Sequence, residues 1–590
     1  MPVKPLMRIN IFADKINLIL SSLITNIQIL TELNFKAILT GMTAVLVLAG
    51  LNVRGQAFLE NGKVSGNFQL DAQVYQADSA IGAEEVEEKM LMNAFANLLY
   101  SNGNFNAGLR FETYLNPIKG YDPRYKGSGV PYWFGSWKNE QFEITVGNFY
   151  EQFGSGMVLR SYEERNLGYD NAFKGAKVKF NPYRGVTLKG LIGTQRFFWE
   201  QGPGIVRGID GEFALNDMFD KEGKCKTRVT LGGSFVSKYQ PLEEITVNDT
   251  SLLKLPANVA SWAARFNVNH GKFNFDGEYA NKMNDPTSLN NFIYKNGQSL
   301  LFQASYSQKG LGVIASAKRT DNMGFKSKRT ETGNALDINY LPALTRQHTY
   351  SLSAMYPYAT QPNGEMAVQG QVNYKIPRGS AVGGKYGTDI AVNFARITSI
   401  KQEPAEGEYT IGQSGTLGYK SPFFEFGDGL YFQDLNVEIQ RKFNNRYKAL
   451  LSYVYLNYNI DVIEGHPGDP MVNAHILIGD LTYKYDQKNA IKLELQHLST
   501  KQDDGDWILY LVEYTVAPKW FFTFSDQYNY GNSEKDRRFH YPTFAMGYTQ
   551  GSNRLSFTYG KQREGIICVG GVCRNVPASN GLTITLTSSF

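Results

Sequence analysis

The chain has 590 residues and a formal net charge of +5, which falls to +2 when residues 1–55 are set aside. This near balance, with no basic cluster, excludes nucleic acid as an expected partner. Charged residues make up only 19% of the chain, against roughly 25% in soluble domains, while the mean hydropathy of −0.33 is too polar for a helical membrane protein.

The first predicted element is an export signal. Lys36 precedes an apolar stretch, residues 37–51, that ends in small residues at Gly55 and Ala57. This order is typical of a secretory signal peptide. We therefore predict an export signal region over residues 1–55, with the signal peptide at about 36–55. An anchor helix is the alternative, but about 15 apolar residues are fewer than the roughly 20 that span a bilayer.

From Val64 onward, apolar and polar residues alternate in many short segments. Residues 64–75 place an apolar or small side chain at every second position, and 105–112, 368–376 and 582–590 repeat the pattern. A period of two is typical of strands with one apolar face. Since no later apolar run is long enough for a membrane helix, a membrane protein built this way must be a closed barrel.

Short turns and long polar stretches separate these segments. The predicted turns are Asn102-Gly103, Pro182–Gly185, His270-Gly271, Lys309-Gly310, Asn444-Asn445 and Gly551–Asn553. The predicted loops are 116–129, 197–206, 239–256, 321–338, 400–423 and 499–506. We therefore predict an all-β fold, a single closed antiparallel transmembrane β-barrel over residues 56–590 with short periplasmic turns and long extracellular loops. About 24 strands are expected, with a range of 18–26, because the alternation of turns and loops breaks down between residues 321 and 425.

A secreted soluble β-protein, such as a propeller or a row of sandwiches, is the alternative fold. Against it stand the absence of a propeller-length repeat and three aromatic triplets, 132–134, 197–199 and 520–522, which suit a membrane interface. The chain also ends on an alternating segment closed by Phe590. That ending resembles the C-terminal signal read by barrel-assembly machinery. We therefore expect the cell outer membrane, with that machinery as a partner during insertion and outer-membrane lipids around the folded barrel.

The most distinctive segment is residues 147–172, in which a Gly-Ser-Gly hinge is followed by Arg160, Glu163, Glu164 and Arg165. Mixed charges on a loop that folds into a lumen filter solutes by charge and size. These four residues are therefore the candidate pore constriction. The alternative, a solvated loop whose ion pairs satisfy one another, stays open.

The cysteines predict one disulfide. Cys568 and Cys573 are separated by four residues, two of them glycine, which allows the loop to close in an oxidising envelope. A metal pair is the alternative, but no further ligand lies nearby. Cys225 is expected to be a free thiol or to have no role.

The histidines give no support for a metal site or an enzyme. All six stand singly, none at ligand spacing from another. His497 with Ser499, or His540 near Asp536, could each be part of a catalytic set, but nothing completes either one. We expect no catalytic residue, no metal and no cofactor.

Four motifs, at residues 147–172, 339–350, 356–365 and 568–578, resemble those of an uncharacterised family of Bacteroidota outer-membrane β-barrel proteins. The resemblance covers most of the chain after the export signal. It implies an outer-membrane barrel and carries over no functional residues. TonB-dependent receptors differ, because they place a plug domain before the barrel, whereas alternation here begins at Val64. Energised import by this chain alone is therefore not expected.

The leading functional prediction is a passive, porin-like channel for small polar solutes, because the expected interior is lined by Gln, Asn, Lys and Glu. The alternative is a non-catalytic structural or assembly component of an outer-membrane secretion or surface-protein complex, with other outer-membrane proteins as partners. Loop mass beyond the needs of a simple pore favours this alternative.

Overall fold

The wall of the protein is a single sheet. The computed structural model describes residues 62–220, 222–247, 251–569 and 572–590, and the predicted signal peptide at 36–55 lies outside them. Within the described residues, 24 strands form one sheet. They are β1 Lys63–Tyr75, β2 Met90–Asn102, β3 Phe105–Asn116, β4 Gly127–Lys138, β5 Phe142–Phe149, β6 Phe173–Tyr183, β7 Val186–Phe197, β8 Glu200–Ala214, β9 Thr227–Tyr239, β10 Asn258–His270, β11 Phe273–Lys282, β12 Gly297–Gln308, β13 Leu311–Asp321, β14 Gly364–Ile376, β15 Thr388–Ile400, β16 Phe426–Lys442, β17 Tyr447–Tyr458, β18 Val472–Lys484, β19 Asn489–Ser499, β20 Trp507–Val516, β21 Trp520–Asn529, β22 His540–Gln550, β23 Asn553–Gln562 and β24 Ser579–Ser589.

The sheet closes on itself. Each strand pairs antiparallel with the next in the chain, and β24 pairs with β1, with Leu70 opposite Leu586. At the seam, Gly66 donates to the carbonyl of Phe590 at 3.1 Å, and Phe590 donates back to Gly66 at 3.0 Å. The prediction of an all-β, closed antiparallel barrel of about 24 strands is confirmed.

Short and long connections alternate along most of the described chain, except that only residues 198–199 join β7 to β8 and the longer stretch 215–226 joins β8 to β9. The short connections include tight turns at Gly103 and Gly271, whose φ angles of 56° and 61° suit glycine. The long connections include residues 322–363, between β13 and β14, and residues 401–425, between β15 and β16.

One predicted loop is wrong. Most of 197–206 is strand, since β8 begins at Glu200. Its glycines look like loop residues, but they face inward: a Cβ on Gly204 would meet Ser327, and one on Gly202 would meet Leu336.

The connections carry small elements of their own. Short strand pairs are Gln152–Phe153 with Leu159–Arg160, Glu163–Glu164 with Tyr169–Asp170, Thr246–Val247 with Ser251–Leu252, Glu403–Pro404 with Tyr419–Lys420, and Gly565–Val569 with Val572–Val576. Helical turns are Ser79–Ile81, Pro123–Tyr125, Arg165–Leu167, Leu215–Phe219, Ser288–Asn290, Ile460–Glu464 and Lys535–Arg537. Among the described residues, no helix has the length and apolar character needed to cross a membrane.

The outer face of the barrel is apolar because the apolar residues of the period-two pattern point outward. Ile209 is 64% exposed on the outside, whereas Ile476 and Ile478, on either side of the exposed Leu477, are buried on the inside. Of the aromatic triplets, Trp133 and Trp520 are exposed, as an interfacial position requires. Phe198 is instead buried, with its ring 4.8 Å from that of Tyr125.

Candidate functional site

The connection 322–363, here called the inner segment, lies inside the barrel. Met323, Phe325, Ile338 and Leu352 are fully buried there, although the segment forms no barrel strand. Burial of four large apolar side chains on an irregular segment requires packing surface on several sides. The inner face of the wall provides it.

Three buried wall lysines hold the inner segment by its backbone. Lys238 of β9 donates to Lys326 at 2.9 Å, Lys282 of β11 donates to Gly324 at 2.5 Å, and Lys318 of β13 donates to Pro342. Two of these charges are balanced: Asp285 lies 2.5 Å from Lys238, and Glu365 lies 2.7 Å from Lys318. Buried ammonium groups need such partners because desolvation is costly.

The second half of the inner segment reaches further round the barrel. Arg346 lies 2.6 Å from Glu438 of β16, the Tyr350 hydroxyl donates to Asp480 of β18 at 3.2 Å, and the Leu352 amide donates to Gln496 of β19 at 2.9 Å. The segment therefore contacts wall strands from β9 to β19.

Residues 150–172, here called the charged loop, contain the predicted constriction. Arg160 packs between the rings of Tyr162 and Tyr340, at 4.4 and 4.1 Å. Glu164 caps the helical turn Arg165–Leu167 by accepting from Asn166 at 3.2 Å. Both residues therefore help to shape the loop itself.

Glu163 and Arg165 connect the charged loop to the wall. Glu163 lies 2.7 Å from Arg165 and 2.8 Å from Arg110 of β3. Arg165 also donates to Gln69 of β1 at 3.3 Å, and its guanidinium lies 4.6 Å from the ring centre of Phe95 of β2. The structure thus separates the four predicted residues into a loop-shaping pair and a pair that faces β1–β3.

A buried charge network fastens the same loop. Arg196 of β7 forms two hydrogen bonds with Glu112 of β3, at 2.8 and 2.7 Å, and lies 2.8 Å from Asp170 of the charged loop. Arg110 pairs with Glu112 at 2.6 Å and also with Asp170. Sequence reasoning missed this network because its members are far apart in the chain.

The two inward-folding segments fill one side of the lumen with apolar side chains. Phe153, Met157 and Phe325 pack against the inward residues of β7–β11. Leu352 and Met355 pack against those of β14–β20. Where these two segments lie, the inner wall from β7 to β20 is therefore a packed core. A separate cavity of about 280 Å³ at β8–β12 is lined by polar and charged side chains, among them Arg265, Asp276 and Glu278.

The other side of the lumen is polar. Inward positions of β21–β24 and β1, here called the polar wall, carry Ser525, Gln527, Thr543, Thr558, Thr583 and Gln73. They enclose a cavity of about 380 Å³ together with Ser351 and Ala354 of the inner segment. Arg563 lies at its rim, where burial lowers the pKa of the guanidinium against the raising effect of Tyr356 and Asp504.

The cavity is covered by the hairpin that carries the disulfide. Cys568 and Cys573 are bonded, as predicted, and lie opposite each other in the pair Gly565–Val569 and Val572–Val576, here called the disulfide hairpin. Asn334 and Gln347 of the inner segment donate to the carbonyls of Cys573 and Cys568, at 2.6 and 3.0 Å. The hairpin is therefore connected to the inner segment at both cysteines.

The remaining predicted residues lie away from this cavity. Cys225 is a free, exposed thiol near the start of β9. His497 bonds to Tyr530 at 2.6 Å, and His540 pairs with Asp526 at 2.6 Å rather than with Asp536. No trio of His, Cys, Asp or Glu within the described ranges is arranged to hold a metal ion.

Comparison with known proteins places the chain in a family. The profile of the family of unknown function DUF6029 matches residues 35–590. A search of curated proteins found no match.

Several solved structures are similar to the chain at low identity. The P pilus usher (PapC) translocation pore is 9% identical with a TM-score of 0.41, covering 89% of this chain and 99% of the usher. The siderophore receptor PirA from Pseudomonas aeruginosa is 10% identical with a TM-score of 0.37, covering 90% and 80%. The outer membrane protein opdK from the same species is 9% identical with a TM-score of 0.33, covering 78% and 99%. Similarity this low indicates nothing about activity. The family profile, in contrast, matches nearly the whole chain, and the protein belongs to the family of unknown function DUF6029.

Proposed function

We propose that the protein is a non-catalytic β-barrel of the bacterial outer membrane that conducts small polar solutes along its polar wall. The proposal rests on a contrast between two parts of the inner wall of the barrel. From β7 to β20 the apolar inward side chains are packed against loop segments, and the polar cavity at β8–β12 measures about 280 Å³. In contrast, β21–β24 and β1 line a polar cavity of about 380 Å³. Solutes that replace their hydration water with hydrogen bonds to hydroxyl and amide groups would move along the polar wall.

The exposed apolar outer face supports placement in a bilayer, since a closed sheet leaves no unpaired edge for lipid to meet. Outer-membrane lipids and the barrel-assembly machinery are the partners we propose for the folded chain and for its insertion. The Bacteroidota origin implied by the sequence motifs belongs to the same proposal.

The charged loop borders this route. Arg165 donates to Gln69 of β1, and Gln69 donates to Asp71 at 2.8 Å, one layer from the cavity residue Gln73. We therefore assign the constriction to Arg165, which contacts β1 of the polar wall, and to its ion-pair partner Glu163, and give Arg160 and Glu164 the role of holding the loop in shape.

Ion conductance of the purified full chain in planar bilayers tests the proposal. We expect small, discrete current steps, because two loop segments occupy part of the lumen. Arg165→Gln should change the ratio of cation to anion permeability, while Arg124→Gln, an exposed pair with Asp122 outside the charged loop, should leave it unchanged. A barrel that inserts and passes no current would contradict the proposal.

A second candidate function is a structural or assembly role with a protein partner. It is favoured by the loop 401–425, where Tyr409 is 99% exposed and Phe424 is 80% exposed. Large apolar side chains this exposed on one loop suit contact with another protein. Stoichiometric co-purification from native membranes, lost in Tyr409→Ser but kept in Tyr183→Ser at a short turn, would support this role.

A further inference from the structure

We propose that the cavity between the polar wall and the disulfide hairpin is a binding site for a neutral, hydroxyl-rich solute of the size of a mono- or disaccharide. This inference rests on the proposed polar route and names the class of solute that the route would select. Its basis is the chemistry and the unpartnered groups of the cavity lining.

The cavity has the size of a small-ligand site. Its volume of about 380 Å³ falls within the roughly 300–1,000 Å³ of small-molecule pockets. Its lining comes from barrel strands on one side and from the inner segment and the disulfide hairpin on the other. Hydrogen bonds from Asn334 and Gln347 to the hairpin hold the two loop elements together, so the lining is preformed.

Two glutamines in the lining have unused acceptors. The Oε1 atoms of Gln73 and Gln527 are buried, and neither has a hydrogen-bond partner among the described residues. A buried amide oxygen without a donor costs roughly 1–3 kcal/mol. A hydroxyl-rich ligand would supply that donor to both glutamines, which face the same cavity from β1 and β21.

The charge of the lining favours a neutral ligand. The strand residues at the cavity are mostly amides and hydroxyls, and the charged groups of the lining, Lys561, Arg563 and Glu564, include both signs of charge. Lys561 lies 2.7 Å from Asp78, and Arg563 donates to the Glu564 carbonyl at 2.8 Å. With Asp78 beside Lys561 and with Glu564 next to Arg563 in the chain, the lining has no net charge to offset the dehydration of a charged solute.

Tyr541 provides an apolar surface in the same lining. Its ring lies 5.9 Å from that of Trp507, tilted by 32°, which fixes its position. The carbon-bound hydrogens of a sugar ring pack well on an aromatic face, while its hydroxyl groups reach the amides around it. This combination suits a sugar, which presents both kinds of surface.

Isothermal titration calorimetry of the full chain in detergent tests the inference, with glucose and maltose as neutral probes and glucuronate and glucosamine as charged ones. We expect saturable binding of the neutral sugars and weaker binding of the charged ones. Gln73→Met and Gln527→Met should each weaken the neutral binding by about 3- to 10-fold, the effect of one neutral hydrogen bond. Gln303→Met, a lumen glutamine of β12 that accepts from Ser316 at 3.3 Å, should leave it unchanged.

Equal binding of charged and neutral sugars, unaltered binding in both glutamine variants, or no sugar binding would overturn the inference. Because calorimetry does not depend on conductance, the two proposals fail separately. Current without sugar binding would overturn the site and leave the route, while sugar binding by a barrel that passes no current would support the site and remove the route.

Discussion

Arg196 and Glu112 meet inside the barrel through two hydrogen bonds of 2.8 and 2.7 Å, although their strands, β7 and β3, are four positions apart in the wall. Both side chains are buried. Such a contact is made across the inside of the sheet, not along it. It shows that the lumen at this level is narrowed by side chains and by the charged loop, whose Asp170 joins the same pair.

Glu112→Gln should destabilise the barrel by about 3–5 kcal/mol, because it leaves Arg110 and Arg196 short of a buried negative charge. Urea unfolding of the refolded protein, followed by tryptophan fluorescence, measures the loss. The matched control is Glu143→Gln, whose pair with Lys138 is exposed and should contribute less than about 1 kcal/mol. Equal effects of the two variants would contradict the role of the network.

Lys282→Met should loosen the inner segment without unfolding the wall. The change removes the donor from the Gly324 carbonyl, at a cost of about 1–3 kcal/mol for an unpaired buried group. Current fluctuations in planar bilayers should increase, and limited proteolysis should cut within residues 322–363. Lys375→Met, which removes an exposed pair with Asp389, should behave like the unmodified protein. If the current of the Lys282 variant fluctuates no more than that of this control, Lys282 does not hold the inner segment.

Reduction of the disulfide should act locally. Closing so small a loop stabilises by about 2 kcal/mol in the chain-entropy treatment, and the hairpin is not part of the barrel sheet. Cys568→Ser with Cys573→Ser should speed hydrogen exchange at 565–576 and leave the barrel's thermal unfolding unchanged. A large fall in thermal stability would show that the hairpin supports the wall as well.

Deletion of Phe590 should reduce assembly more than stability. The residue is exposed on the outer face, yet its backbone forms the last two hydrogen bonds of the seam with Gly66. We expect less folded protein in the outer-membrane fraction, with normal heat resistance of the molecules that do fold. Phe590→Trp keeps an aromatic terminus and should assemble normally. Normal assembly of the deletion would contradict a signal role for this residue.

Period-two alternation and turn residues predicted the barrel and its approximate strand number, because both are local properties of the sequence. They failed between residues 321 and 425 for a physical reason. Met323, Phe325 and Ile338 are buried as strand residues would be, but they pack on the inside of the wall. Local pattern cannot tell a buried loop from a strand.

The charged loop was recognised from its sequence, whereas its partners were not. Arg110, Glu112 and Arg196 lie in three separate segments of the chain, and only the closure of the sheet brings them to Asp170. The same is true of Lys238, Lys282 and Lys318, which contact the inner segment only because the sheet closes around it.

Cysteine modification in planar bilayers tests the central claim, that solutes pass along the polar wall and not through the side filled by loops. In a Cys225→Ser background, Thr583→Cys on β24 and Val206→Cys on β8 would each be exposed to a small hydrophilic thiol reagent. Thr583 lines the polar cavity, and Val206 is fully buried against the loop segments. We predict that the reagent reduces the current of the Thr583 variant and leaves the Val206 variant unchanged. Block at Val206 with none at Thr583 would contradict the account.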